Sequence, residues 1–207
     1  MRTRGRATPQ EVVIATHNPG KLREIKAILS SFSLKFLSLI DFPDLPEVGE
    51  DGATFAENAG KKARTIAALT GRLTIADDSG LVVEALQGRP GVFSARYAGE
   101  HATDRERCQK LLAEMATIPE GQRQAQFVCA MAAALPRGKL QVVEGECRGW
   151  ITFASRGKHG FGYDPIFFVP EIGKTMAELE PEEKNRISHR AQALEKLKVI
   201  LPEFLLS

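Results

Sequence analysis

The apolar run Leu73-Thr74-Ile75 gives way within one residue to Ala76-Asp77-Asp78-Ser79-Gly80, and this abrupt change constrains the fold more than any other stretch of the chain. Asp, Ser and Gly favour turns and end strands, so the pattern predicts a buried strand whose end opens into a loop. Such loops are where functional side chains usually sit. Successive residues of an extended chain point to opposite faces, so one of Asp77 and Asp78 faces a cleft while the other braces a neighbouring segment. Taken alone, the motif reads equally well as a solvated turn.

A second junction lies upstream. Glu11 to Ala15 reads as a buried strand, and it runs through Thr16-His17-Asn18-Pro19-Gly20-Lys21 into an amphipathic run with Leu22, Ile25 and Leu29 on one face. Asn18 as N-cap and Pro19 at the first helical position mark a helix start. A strand feeding a helix in this way offers backbone N–H groups and the positive end of the helix dipole to an anion. Lys21 in that first turn opposes the dipole unless an anion lies between them. It reads either as an anion ligand or as a surface lysine. The pattern lacks the Gly-x-x-x-x-Gly-Lys-Ser/Thr spacing of a P-loop.

The remaining elements follow from periodicity and punctuation. Ser33 to Leu39 reads as a strand, and Asp41 to Gly52, acidic and broken by Pro43, Pro46 and Gly49, as a loop. Thr54-Phe55-Ala56-Glu57 is a capping box that opens a helix to about Leu69, carrying Asn58 and Lys62. Another at Thr103 to Glu106 opens a helix with a Cys108, Leu111, Leu112 and Met115 stripe. Gln126 to Leu135 and Leu140 to Cys147 form a hairpin around Pro136 to Lys139, and Trp150 to Phe153 adds a further strand. Phe161-Gly162-Tyr163-Asp164 reads as an aromatic core turn, or as a backbone that a ligand can approach beside a stacking face. Ser188 caps a last helix with Ala191, Leu194, Leu197 and Leu201 inward. Its first turn again holds groups unsuited to the dipole, His189 and Arg190, which suggests an anionic ligand shared with the Lys21 helix. Strands and helices alternate early and strands cluster later. The fold expected is α/β, with a mixed, elongated sheet and two lobes flanking a cleft.

Composition narrows the class. Of 207 residues 43% are hydrophobic and 26% charged, enough apolar content for a well-formed core. Arg2, Arg4 and Arg6 lie in a basic start over residues 1–10, expected to be disordered ahead of one domain over 11–207. Removing them from the 28 basic residues leaves 25 against 26 acidic ones, so the global footprint of a nucleic-acid binder is missing. No apolar run approaches the ~20 residues that span a bilayer, and the start has no secretory core. Cys108, Cys129 and Cys147 are odd in number and lack a Cys-x-x-Cys pair, which suggests buried thiols in a cytoplasmic protein.

Six stretches in order, Thr16 to Lys21, Thr54 to Ala59, Ala76 to Gly80, Gly91 to Gly99, Phe161 to Pro165 and Ser188 to Arg190, resemble the ITP/XTP pyrophosphatases. These enzymes hydrolyse deaminated purine nucleoside triphosphates to monophosphate and pyrophosphate. The resemblance implies a nucleotide cleft, a homodimer, Mg2+ as cofactor and no nucleic acid or membrane partner. It implies that Thr16, His17, Asn18, Pro19, Gly20, Lys21 and Lys62 serve the phosphates, with Asp78 as general base and metal ligand. Ser79, Phe161, Gly162, Tyr163, Asp164, Lys184, His189 and Arg190 then hold the nucleotide and its base. Gly49 stands where the family often has its first metal-binding acid, leaving Glu50 beside it as the second carboxylate. A 6-oxo purine would meet donors from His189 and Arg190, with Asp164 near the 2-position. The alternatives are a Maf-like pyrophosphatase of other base preference and a non-catalytic nucleotide-binding module, against which the paired carboxylates count.

Overall fold

The protein is described by a computed structural model covering residues 9–206. The basic start over 1–10 therefore lies largely outside the described residues; Gln10 is the first residue of a strand. The chain runs β1 (Gln10–Ile14), α1 (Pro19–Ile28), β2 (Leu34–Ser38), α2 (Phe55–Thr70), β3 (Leu73–Val83), α3 (Asp104–Glu114), β4 (Gln124–Ala134), β5 (Leu140–Ile151), β6 (Phe167–Val169), β7 (Lys174–Thr175), α4 (Pro181–Ile187), α5 (His189–Ile200) and α6 (Pro202–Leu205). Seven strands form one mixed sheet in the order β2-β1-β3-β4-β5-β6-β7. β1 pairs in parallel with β2 and β3, and every later neighbour is antiparallel. Among the described residues no helix is long and apolar enough to cross a membrane.

The alternation of β1 separates two cores. Val12 and Ile14 pack with Ile25 and Leu29 of α1 and Leu194 and Leu197 of α5 on one face, while Val13 and Ala15 pack with Phe55, Ala59 and Ala63 of α2 on the other. A third core gathers Leu81, Cys108, Phe127, Ile166 and Phe167 toward the β6 end. The two lobes are thus two ends of one continuous sheet. All three cysteines are buried free thiols, as expected.

Three local expectations need correction. The strand does not stop at Asp77: β3 continues unbroken, with Asp77 opposite Met131, Asp78 opposite Ala130 and Ser79 opposite Cys129. Turn propensity yields because β4 pairs this backbone, while Asp77 Oδ2 and both oxygens of Asp78 find partners from neighbouring groups. Trp150 and Ile151 are not a separate strand but the end of β5, and Thr152 and Phe153 lie beyond it. The short α4, started by Pro181 behind Glu180, has no counterpart in the sequence reading.

β5 carries a glycine where helix meets sheet. A Cβ at Gly145 would lie 2.3 Å from the His189 carbonyl oxygen and 2.4 Å from the Ala193 nitrogen, so α5 rests directly on the strand. Backbone cannot yield there as a flexible side chain would. Gly145→Ala is expected to destabilise the fold by about 1–3 kcal/mol, seen as a Tm lower by about 2–10 °C in thermal unfolding. An unchanged Tm would mean that α5 shifts freely on the sheet.

Candidate active site

Asp77 lies at the centre of the α1 and α5 face. Its Oδ2 accepts from Lys21 Nζ at 2.9 Å and from Arg190 Nη2 at 3.1 Å. The carboxylate is fully buried, and although burial opposes its charge, Lys21, Arg190 and Lys62 hold it well below the usual carboxylate range. This pairing answers two expectations at once. The anion that Lys21 and Arg190 at the two helix starts share in this structure is Asp77. The N–H groups of Gly20 and Lys21 are not left free either, because Asn18 Oδ1 accepts both, at 2.8 and 3.1 Å. Asn18 is the N-cap that its sequence context predicts.

Arg190 is committed further. Its Nη1 donates to Glu24 at 2.6 Å and its Nη2 to Ser79 Oγ at 2.8 Å, which leaves Nε as its buried nitrogen without a partner. Lys184 of α4 bridges Glu24 at 2.9 Å and Asp164 at 2.5 Å. A continuous buried chain therefore runs Asp164, Lys184, Glu24, Arg190, Asp77, Lys21. Asp164 Oδ2 also accepts from Phe161 N–H at 2.9 Å, so it shapes the aromatic turn. Burial pushes its pKa up and Lys184 offsets only part of that rise.

Asp78 faces the opposite side of β3. One oxygen accepts from Asn58 Nδ2 at 2.8 Å and the other from Ser79 N–H at 2.9 Å. Burial, and then the nearby Glu50 carboxylate, raise its pKa, with Asn58, Lys21 and Lys62 acting in the other direction. Lys62 Nζ donates to Glu50 and, at 3.0 Å, to the Asp77 carbonyl. Burial opposes the charge of Lys62, but Asp77 and Glu50 outweigh it and hold the ammonium protonated.

These groups sit where two chambers meet. A chamber of about 480 Å³ takes in Thr16, His17 and Lys62, and a smaller one of about 120 Å³ takes in Asp78, Ser79, Phe161 to Asp164, Lys184, His189 and Arg190. Asn18, Lys21 and Glu50 line both. Pro19, exposed on α1, and Gly20, buried under Phe161, line neither. A Cβ at Gly20 would lie 2.6 Å from the Phe161 ring, so that glycine makes room for the aromatic. Another cleft of about 490 Å³, around Arg123, Trp150 and Phe153, holds none of these residues.

His189 is the group in the small chamber that still lacks a ring partner. Its imidazole stacks on Phe127 at 4.7 Å between centroids, and its buried Nδ1 has no hydrogen bond. Burial, with Arg190 and Lys184 nearby, lowers its pKa well below the ordinary value and keeps the ring neutral. Phe161 lies beside it with Lys184 Nζ 4.5 Å and Arg190 Cζ 5.6 Å from its centroid.

Sequence reasoning gave no role to Glu24 or Asn58. The signals present were weak ones: Glu24 sits one helical turn from Lys21, and Asn58 is a polar residue on the buried side of α2. Neither type points to its partner, because Lys184, Arg190 and Asp78 are distant in sequence.

A carboxylate with a lowered folded pKa adds stability that is present above its unfolded value, about 4, and is lost as pH falls through the folded value. Breaking a buried ion pair costs about 3–5 kcal/mol, so Asp77→Asn is expected to lower Tm at neutral pH by on the order of 10 °C. The gap to the native protein should narrow once pH drops below about 4. Thermal unfolding across this range measures it, and a gap independent of pH would contradict a charged Asp77.

The comparison with known proteins bears on the same residues. The Ham1 family model matches residues 12–200. A dITP/XTP pyrophosphatase of Geobacillus kaustophilus is 57% identical over 188 residues, covering 91% of this chain and 92% of that protein. One from Geobacter sulfurreducens is 56% identical over 187 residues, covering 90% and 94%. Among solved structures, a HAM1 protein from Coxiella burnetii superposes with a TM-score of 0.85 at 46% identity, covering 94% of this chain and 99% of that one. With nearly the whole sheet, α5 and both chambers inside the matched span, the chain belongs to the Ham1 family.

Proposed function

We propose that this chain hydrolyses the deaminated purine nucleoside triphosphates ITP, dITP and XTP to the nucleoside monophosphate and pyrophosphate. The observation that carries this reading is the meeting of Lys21, Lys62, Asp78 and Glu50 at the junction of a larger chamber and a small aromatic one holding His189 with its Nδ1 unpartnered. The names of the relatives, dITP/XTP pyrophosphatases, support the same chemistry. The domain is residues 11–207, and the resemblance supports a homodimer working in the cytoplasm.

In the reaction a water oxygen bonds to the α-phosphorus while the bond to the leaving pyrophosphate breaks. Asp78 accepts the water proton. Its elevated proton affinity suits a general base, and Asn58 and the Ser79 N–H hold its two oxygens in place. Lys21 and Lys62 meet the triphosphate charge from the α1 and α2 sides.

Asp78 and Glu50 offer hard oxygen donors, and no group of three or more His, Cys, Asp or Glu among the described residues forms a closed cage. That donor set fits Mg2+, which is commonly held by one or two carboxylates together with substrate phosphates. When bound there, Mg2+ neutralises triphosphate charge and acidifies water.

Base choice follows from the small chamber. A 6-oxo purine presents an acceptor where adenine presents an amino donor, and a buried donor left without an acceptor is penalised. His189, rather than the committed terminal nitrogens of Arg190, is the side chain suited to meet that oxygen.

With Mg2+ and a panel of purine and pyrimidine triphosphates, ITP, dITP and XTP are expected to be cleaved at least ~10²-fold more efficiently than ATP. Equal kcat/KM for ITP and ATP would overturn the base-selective reading, and a pyrimidine preference would favour the Maf-like one. Asp78→Asn is expected to lower kcat at least ~10²-fold while the fold persists; near-normal turnover would remove Asp78 from the base role. Lys62→Ala should lower kcat/KM for all triphosphates alike, and a change confined to one base would place this lysine elsewhere.

A further inference from the structure

The aromatic turn that walls the small chamber is held from outside itself. Gly162 has φ of +63°, and both of its polar backbone groups reach α3, more than fifty residues away in sequence. Its N–H donates to Asp104 Oδ2 at 2.7 Å, and its carbonyl accepts from Cys108 Sγ at 3.4 Å. Arg107 pairs with the other oxygen of Asp104, and its Nη1 donates to the carbonyls of Ala95 at 2.9 Å and Ala102 at 2.6 Å. Tyr163 Oη donates to the Ser94 carbonyl at 2.9 Å, and Ser94 Oγ accepts from Leu81 N–H at 2.9 Å. The turn is therefore tied through α3 and the Gly91–Arg96 segment back to β3, two residues beyond Ser79.

We propose that Asp104, held in place by Arg107, is a positioning residue for base recognition. It fixes the direction of the Gly162 peptide, and with it the distance between Phe161 and His189, and so sets the discrimination between 6-oxo and 6-amino purines. It makes no contact with the catalytic carboxylate or the two lysines at the chamber junction. This inference rests on the nucleotide reading above, and small displacements of such a wall are enough to change rates.

Two measurements test it on the full-length protein. Hydrogen–deuterium exchange needs no substrate: in Asp104→Ala, exchange over residues 160–164 is expected to rise about 10-fold while β3 and β4 keep their protection. Steady-state kinetics should show KM for ITP raised about 10-fold with kcat within about 3-fold, and the ITP to ATP ratio of kcat/KM compressed about 10-fold. Asp104→Asn keeps an acceptor oxygen for Gly162 N–H but puts an amide NH2 where Arg107 pairs, and is expected to fall between the native protein and Asp104→Ala in both properties. Thr103→Ala removes the α3 N-cap without touching the turn, and is the control for helix fraying. Unchanged exchange over 160–164 in Asp104→Ala overturns the proposal, as does a wild-type preference for ITP that survives the substitution, or an equal effect from Thr103→Ala. Loss of protection in Asp104→Ala together with a wild-type ITP to ATP ratio near one would instead overturn the substrate reading and the specificity role, leaving only the structural tie.

Discussion

Asp77 Oδ2 receives a lysine from α1 and an arginine from α5, and the relative placement of both helices and β3 depends on that shared carboxylate. Removing one partner from such a cluster leaves an uncompensated buried charge, which costs far more than a surface pair contributes. The cluster extends through Glu24 and Lys184 to Asp164 and thus to the aromatic turn. The wall of the small chamber and its junction with the larger one are consequently set by one network. Its hydrogen-bonding groups are nearly all paired within the protein.

The same strand separates two chemistries at adjacent positions. Because β3 alternates faces, Asp77 points to the cations of α1 and α5 while Asp78 points to Asn58 and Glu50. One carboxylate is driven to permanent ionisation and the other toward a higher proton affinity. Pairs of titratable groups whose environments push them apart are how one site divides structural charge from acid–base work. An interruption of the strand at Asp77 would free both side chains from that alternation, which is why the continuous pairing with β4 matters to the chemistry as well as to the fold.

Much of this was legible in the sequence where the signal was local. The Asn18 and Thr54 caps, the Thr103 box, the hairpin around Pro136 and the Ser188 cap each follow from a few neighbouring residues and stand where expected, except that Glu57 closes on the Ala53 N–H rather than completing a box with Thr54. The opposite faces of Asp77 and Asp78 were legible for the same reason. What escaped were properties decided by distant partners. The continuation of β3 through Asp-Asp-Ser-Gly depends on an alanine-rich partner strand and on charges from α1 and α5. Lys21 and Arg190 correctly signalled an anion, whereas His189 is neutral, and spacing carries no information on whether such an anion belongs to a ligand or to the chain. Glu24, Asn58 and Asp104 act across separations of 20 to 166 residues, and no local pattern reports them.

The free protein already bears part of the energetic burden of base selection. His189 Nδ1 is buried without a partner, a state that is unfavourable until something supplies one. On the base-selective reading proposed above, with the ring hydrogen on that nitrogen, a ligand oxygen relieves the unfavourable state without breaking an existing bond, whereas an amino group of adenine leaves it in place and is itself desolvated. A neutral ring carries a single N–H, so selection of an oxygen requires that hydrogen on the nitrogen that meets the ligand, whereas a protonated ring would add a third cation beside Arg190 and Lys184. Burial against Phe127 and the neighbouring cations keep it neutral. The positive charges of the network therefore add to burial in preventing that histidine from joining it.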